Sequence, residues 1–271
     1  MRLKYITCSG LNEKTEDALT VYAMAAYHCS REKNYPDVEI GIQVSGQKCA
    51  FGSPRYRWLK ELHYFALKYK KPARFALHLN SDWVEKFCAG EKVAELEDLL
   101  SLKNCQGKPF LSRIQLNFKI GRNQVPSVEK LAEVLKEYTI PGRKFIVSYN
   151  EANAAYLKEL YKLFKKVDVI YDNSFGEGVL GKWKKPCFGS KTKVVQGYAG
   201  GLSPENICKE FEKIKAVLPK DAVFSIDAEK GLKDSADGEK SYYRICRYLG
   251  LVYYAAFDLR FPPKKRKQRK N

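Results

Sequence analysis

The sequence predicts an α/β fold, a closed (β/α)8 TIM barrel built as a single domain. Segments of extended pattern alternate with amphipathic helical segments along the whole chain, as in a parallel sheet whose strands are joined by crossover helices. Eight such units fit within about 250 of the 271 residues, which is the count and size of this barrel. Polar and glycine-containing clusters follow the extended segments, at the ends where barrel enzymes carry their reactive groups. A doubly wound open sheet has the same alternation and is the alternative, because periodicity does not give strand order.

In chain order, the first extended segment is 3–7, and a helical stretch follows at 15–30. The second strand, 38–44, alternates Val38, Ile40, Ile42 and Val44 with other residues and leads into a helix over 54–70. Strand 73–79 precedes a long helical stretch at 81–101, and strand 113–118 precedes a helix at 127–138. Strand 144–148 and a helix over 152–166 come next. The sixth strand, 167–171, is followed by a short or irregular connection at 173–191. The β-branched Val194 and Val195 mark the seventh strand, 193–196, before a helix over 203–217. Strand 223–226 and a helix over 239–250 complete the series.

The barrel domain is expected over 1–261 and a disordered basic tail over 262–271. The net charge is +18, and the run 263–270 carries six of those charges. That much self-repulsion does not pack. The rest of the excess is spread over helix faces, for example Lys158, Lys162, Lys165 and Lys166. This distribution favours anionic small molecules and weak, salt-sensitive polyanion contacts through the tail over a sequence-reading surface.

No apolar run reaches the roughly 18–20 residues needed to cross a bilayer, and the N-terminus enters a strand instead of an apolar signal core. The expectation is a cytoplasmic protein with no membrane partner, or a nuclear one in a eukaryotic cell, since the tail resembles a nuclear-localisation run. The eight cysteines contain no C-x-x-C pair and no histidine at ligand spacing, which argues against zinc and against a disulfide framework. His28, His63 and His78 form no cluster and read as structural or surface residues.

The segment 196–206, Gln-Gly-Tyr-Ala-Gly-Gly-Leu-Ser-Pro-Glu-Asn, reads as a strand end, a double-glycine turn and a helix start. Gly200 and Gly201 let the backbone approach a ligand, and Ser203 before Pro204 is an N-cap followed by proline at the first helical position. Unpaired N–H groups at a helix start hold a phosphate without a cationic side chain. A tight strand-to-helix turn without a ligand is the other reading of the same residues.

Taken in order, the strand-end segments resemble phosphoribosylanthranilate isomerase, the barrel enzyme of tryptophan biosynthesis, over roughly residues 3–245. The matching segments are Cys8-Ser-Gly10 with Thr15-Glu-Asp-Ala18, Ser53-Pro-Arg-Tyr56, and Ile114-Gln-Leu116. They continue with Val167 to Asp172 followed by Gly176, Gly178 and Gly181, then Ala199 to Asn206, and finally Asp227 with Gly231, Gly238 and Lys240. Departures accompany them. The family's C-G is C-S-G here, its His-Gly after the fourth strand is Asn117-Phe118, and its last loop carries Lys230 and Lys233 in place of Ser and Glu.

The resemblance implies a cofactor-independent Amadori rearrangement, in which an aminoaldose opens and becomes an aminoketose. Such a reaction needs an acid for the ring oxygen and a base for the sugar C2 proton. By resemblance Asp172 is the acid and Cys8 the base. Arg55 would pair with the anthranilate carboxylate, a task that suits its planar fork. Gly200, Gly201, Lys230 and Gly231 would hold the phosphate, and Asp227 would orient loops or hydrogen-bond the substrate. A related sugar-phosphate isomerase or aldolase-like barrel is the second enzyme reading. A barrel with a decayed mouth, binding polyanions through its tail, is the non-enzyme one.

Overall fold

A computed structural model describes residues 1–29, 35–172, 177–188, 194–235 and 238–260. Eight parallel strands close on themselves in sequence order, with β8 paired to β1. They are β1 (Arg2–Ser9), β2 (Asp37–Val44), β3 (Arg74–Leu79), β4 (Leu111–Leu116), β5 (Lys144–Tyr149), β6 (Val167–Asp172), β7 (Gln196–Ala199) and β8 (Val223–Ala228). Closure settles the choice between the barrel and the open sheet. It also removes every sheet edge.

Helices α1 (Ala18–Cys29) and α2 (Pro54–Lys68) follow β1 and β2. Ser53 caps α2 by accepting from Tyr56 N at 3.2 Å, and Pro54 stands in its first turn. The expected helix at 81–101 is two helices, α3 (Ser81–Ala89) and α4 (Ala94–Ser101). Gly90, at φ +82°, accounts for the break, because a left-handed residue closes a helix end and glycine adopts it freely. Helix α5 (Val128–Glu137) follows β4, and α6 (Ala154–Leu163) follows β5.

The regular part of α7 (Ile207–Val217) starts a turn later than the sequence suggested, although Ser203 O already accepts from Ile207 N at 3.0 Å. Helix α8 (Tyr242–Ala255) packs back on β1, and the short α9 (Phe257–Arg260) ends the described chain. Gly176 and the basic tail lie outside the described residues. Among the described residues no helix is long and apolar enough to cross a membrane.

Two layers of packing result. Between barrel and helices lies a continuous apolar shell that includes Ile40, Leu59, Phe75, Phe87, Phe145, Phe211 and Phe224, all buried. Each such side chain contributes roughly 1.5–3 kcal/mol on leaving water. Inside the barrel the filling is polar instead. Toward the N-terminal ends of β2, β4 and β6, Glu39 accepts from Arg113 at 2.7 Å and from Thr7 Oγ1 at 3.1 Å. Asp168 lies 3.8 Å from Arg113 and 3.5 Å from Lys144, and the Arg113 guanidinium stands 4.4 Å over the Tyr5 ring. This plug closes one end of the barrel, so the opening is at the C-terminal ends of the strands.

Candidate active site

Side chains of a strand alternate between faces, and β1 shows which of its residues look inward. Thr7 reaches Glu39 inside the barrel, and Ser9 Oγ donates to Asp227 Oδ1 at 2.5 Å. A Cβ on Gly41 of the neighbouring strand would stand 2.5 Å from Ser9 Oγ and 2.7 Å from His78 Cε1, so Gly41 makes room for both inward side chains. Cys8, between Thr7 and Ser9, faces the other way.

The Cys8 side chain is fully buried in the apolar shell beneath α8, with Tyr248 among its neighbours. Burial pushes its thiol up, and the nearby Asp227 charge adds to the effect. A thiol held protonated and turned out of the barrel cannot take a proton from a ligand inside it. The assignment of Cys8 as base is therefore corrected. The inserted serine of C-S-G takes the inward position.

Asp172 and Asp227 do meet at one level. In the strand register Asp172 pairs with Ala199, and Ala199 pairs with Asp227. Two strand spacings put the carboxyl-bearing positions roughly 10 Å apart, with only a methyl group between them. Burial pushes the Asp227 carboxyl well above the usual carboxylate range; the Ser9 hydroxyl pulls it down, and Glu229, Glu39 and Asp172 push it up. Lys240 is buried beside this group and passes over Gly10, whose missing side chain leaves it space. Burial lowers the Lys240 ammonium and Glu229 opposes that shift.

Next to Ala199 the glycine turn folds as the sequence suggested, with φ of +103° at Gly200 and +68° at Gly201. Its fixings were not foreseen. Asn206 Nδ2 donates to Gly201 O at 2.7 Å, and Asn206 Oδ1 accepts from Ser203 N at 2.9 Å. A Cβ on Gly201 would meet Leu180 N at 2.6 Å, so this glycine also admits the β6–β7 connection. Gly231 sits in a tight place: a Cβ there would run into the Leu202 carbonyl and Ser203, and its own carbonyl accepts from Arg244 at 2.8 Å. Gly231 does not line the cavity, which corrects its assignment as a ligand contact.

Gly200, Gly201, Asp172, Asp227 and Lys230 all line one cavity of about 280 Å³ at the C-terminal end of the barrel. The Lys230 ammonium is 3.3 Å from Glu177. Lys119 and Arg122 stand on the opposite rim. Arg55 is not there: only 8 % exposed, it donates to Gln43 O at 2.7 Å and forms an ion pair with Glu13. Its expected role as a carboxylate grip is corrected, because its fork is spent inside the protein.

The wall facing the glycine turn is one that sequence reasoning missed. Asn80, Gln115 and Asn117, from the ends of β3 and β4, line the cavity there. His78 sits below them, inside the barrel. Burial, with Arg113 adding to it, pushes its imidazole down to about 3, so it is neutral. Its Nε2 has no partner among the described residues.

No family model matches the chain, and no curated protein matches it in sequence. Solved structures do match in shape. A monomeric form of the dimeric phosphoribosylanthranilate isomerase from Thermotoga maritima superposes with a TM-score of 0.53 at 13% identity, covering 93% of this chain and 99% of that one. TrpF from Jonesia denitrificans gives 0.51 at 15%, covering 93% and 98%. The Thermus thermophilus phosphoribosylanthranilate isomerase gives 0.50 at 15%, covering 94% and 99%. At such identities the likeness establishes a shared fold over nearly the whole chain.

Proposed function

We propose that the protein is a cofactor-independent aldose–ketose isomerase acting on a phosphorylated sugar, similar to phosphoribosylanthranilate isomerase. The observation that carries this reading is the pair Asp172 and Asp227, level with each other across Ala199 and next to the Gly200–Gly201 turn. The turn and Lys230 hold the phosphate, and the two carboxyl groups handle the protons. In this reading the acid–base pair and the anion grip both come from the chain's own side chains and backbone.

Asp227, whose carboxyl burial pushes well above the usual carboxylate range, gives its proton to the ring oxygen as the furanose opens. Asp172, the more exposed of the two, removes the C2 proton of the resulting Schiff base. Tautomerisation of the enaminol then returns the Asp172 proton to C1, while the C2 hydroxyl proton goes to Asp227. Both groups end as they began. This assignment moves the acid from Asp172 to Asp227 and gives Asp172 the place first read for Cys8.

The test is direct. Purified protein is mixed with phosphoribosylanthranilate and the loss of anthranilate fluorescence followed; Asp172→Asn and Asp227→Asn should each lower the rate at least about 100-fold, the scale of a positioned proton-transfer group. A second reading, another phosphorylated sugar as substrate, is favoured by one fact: Arg55 is committed to Glu13 and Gln43. Wild-type protein that leaves the fluorescence unchanged would remove the anthranilate derivative and leave the second reading.

A further inference from the structure

Three carboxamides on the wall of the cavity form a single hydrogen-bonded chain. Gln115 Nε2 donates to Asn117 Oδ1 at 2.9 Å, Asn117 Nδ2 to Asn80 Oδ1 at 3.0 Å, and Asn80 Nδ2 to the His78 carbonyl oxygen at 3.0 Å. The direction of this chain is fixed at its last link. A carbonyl oxygen only accepts, so Asn80 must turn its NH2 toward His78 and its oxygen toward Asn117, and each earlier amide follows in the same sense. Every amide uses one of its two N–H groups in the chain. The second N–H of each stays available, and among the described residues no donor reaches Gln115 Oε1.

We propose that this chain is the specificity wall of the site and recognises the hydroxyl groups of a sugar backbone. This rests on the isomerase reading above and names the chemistry of the substrate's middle. The wall is rich in donors, while Asp172, Asp227 and Glu229 line the same cavity as carboxyl-bearing residues. A carboxylate or a second phosphate laid between them would accept from the amides but meet the acidic groups with like charge. An apolar chain would leave both sides unpaired, at a cost for each buried polar group. A hydroxyl accepts from an amide N–H and donates to a carboxyl oxygen, so it satisfies both walls at once.

Neighbouring backbone supports a built wall. Ser81, directly after Asn80 and also lining the cavity, is held at φ +51°. Left-handed backbone at a residue other than glycine is uncommon and gathers at ligand-binding sites. Gln115 stands in register with His78 on the adjacent strand, so the base of the wall is fixed by the sheet itself.

The experiment compares ribose 5-phosphate with n-pentyl phosphate, which has the same phosphate and a similar length but no hydroxyl groups, by calorimetric titration of the full chain. Wild-type protein should bind ribose 5-phosphate at least about tenfold more tightly, the worth of one or two hydrogen bonds. Asn117→Leu and Gln115→Met, both near in volume to the native residues, should abolish that preference, with pentyl phosphate binding as tightly as before or more so, because no amide is left unpaired against its chain. Lys230→Met should weaken both probes alike.

No preference in the wild-type protein, which requires no variant to fold, would overturn the wall. So would a preference that survives in both amide variants. A preference that depends on the amides while Lys230→Met changes neither probe would keep the wall and sink the phosphate grip. Failure of both probes to bind would overturn the two together.

Discussion

Ser9 donates to Asp227 across the β1–β8 seam at 2.5 Å, and this bond places a buried carboxyl group at the mouth of the barrel. Ser9 is the residue that separates Cys8 from Gly10. It puts a hydroxyl where the resemblance placed a thiol, and it ties β1 to a carboxyl group that burial pushes well above the usual carboxylate range. The seam thus couples the first strand to the last at the site itself.

Asp227 should make stability depend on pH in a definite direction. Its folded-state carboxyl titrates well above the unfolded value, which is near 3.9. The folded state therefore binds more protons than the unfolded one as pH rises past about 4, and stability falls over that window. Asp227→Asn removes this loss. Thermal melts from pH 4 to 8 should show the variant gaining on wild type as pH rises, with the difference fading below about pH 4. A constant difference across the range would contradict the shift. Ser9→Ala, which deletes the contact opposing it, should raise the pH at which the activity limb of Asp227 appears.

Cys8→Ala should leave turnover within about threefold of wild type and lower stability by about 1 kcal/mol, as a small truncation in a packed core does. The thiol faces α8 and is inaccessible, whereas Cys105 and Cys246 are exposed. Mass spectrometry after brief iodoacetamide treatment of native protein should find label on Cys105 and Cys246 and none on Cys8. Labelled Cys8, or a large fall in turnover for Cys8→Ala, would restore it to the site.

The buried pair Glu39 and Arg113 gives a third expectation. Both are nearly inaccessible and face each other at 2.7 Å. Removing Glu39 leaves the buried Arg113 with only the more distant Asp168 at 3.8 Å, so Glu39→Ala should cost about 3 kcal/mol in urea denaturation. Replacing both at once, as Glu39→Leu with Arg113→Met, should cost less than the single change, because neither member of the pair is left buried without the other and Asp168 keeps Lys144 at 3.5 Å.

Much of this was legible in the sequence. Eight alternating units gave the barrel, and the glycine turn, Asp172, Asp227 and Lys230 reached the cavity where strand ends were expected to converge. The misplacement of Cys8 has a single-residue cause. Facing alternates with a period of two, so one residue more or less between a strand and its turn exchanges inward for outward, and only the partners of Thr7 and Ser9 reveal which parity holds. Arg55 was misread because Glu13, its partner, comes from another loop. The amide wall was invisible because its members are ordinary residues on two strands, joined only by the register of β3 and β4. The break between α3 and α4 was available at Gly90 but was outweighed by a helical pattern on both sides.

The basic tail supplies the last expectation. Its six positive charges lie beyond Phe261 in the sequence, after two prolines, which disfavour regular elements, and with no apolar residue following them. On the sequence expectation of an unpacked tail, a chain ending at Phe261 should keep its Tm within about 2 °C, the scale of changes of less than about 0.5 kcal/mol. Binding to a polyanion such as heparin should weaken steeply, because log affinity falls with log salt in proportion to the number of phosphate-like contacts and about six would be lost. The salt slope is the sharper reading, as it counts contacts. A slope unchanged by truncation would place polyanion binding on the charged helix faces of the barrel, where Lys158, Lys162, Lys165 and Lys166 lie along α6 and the residues after it.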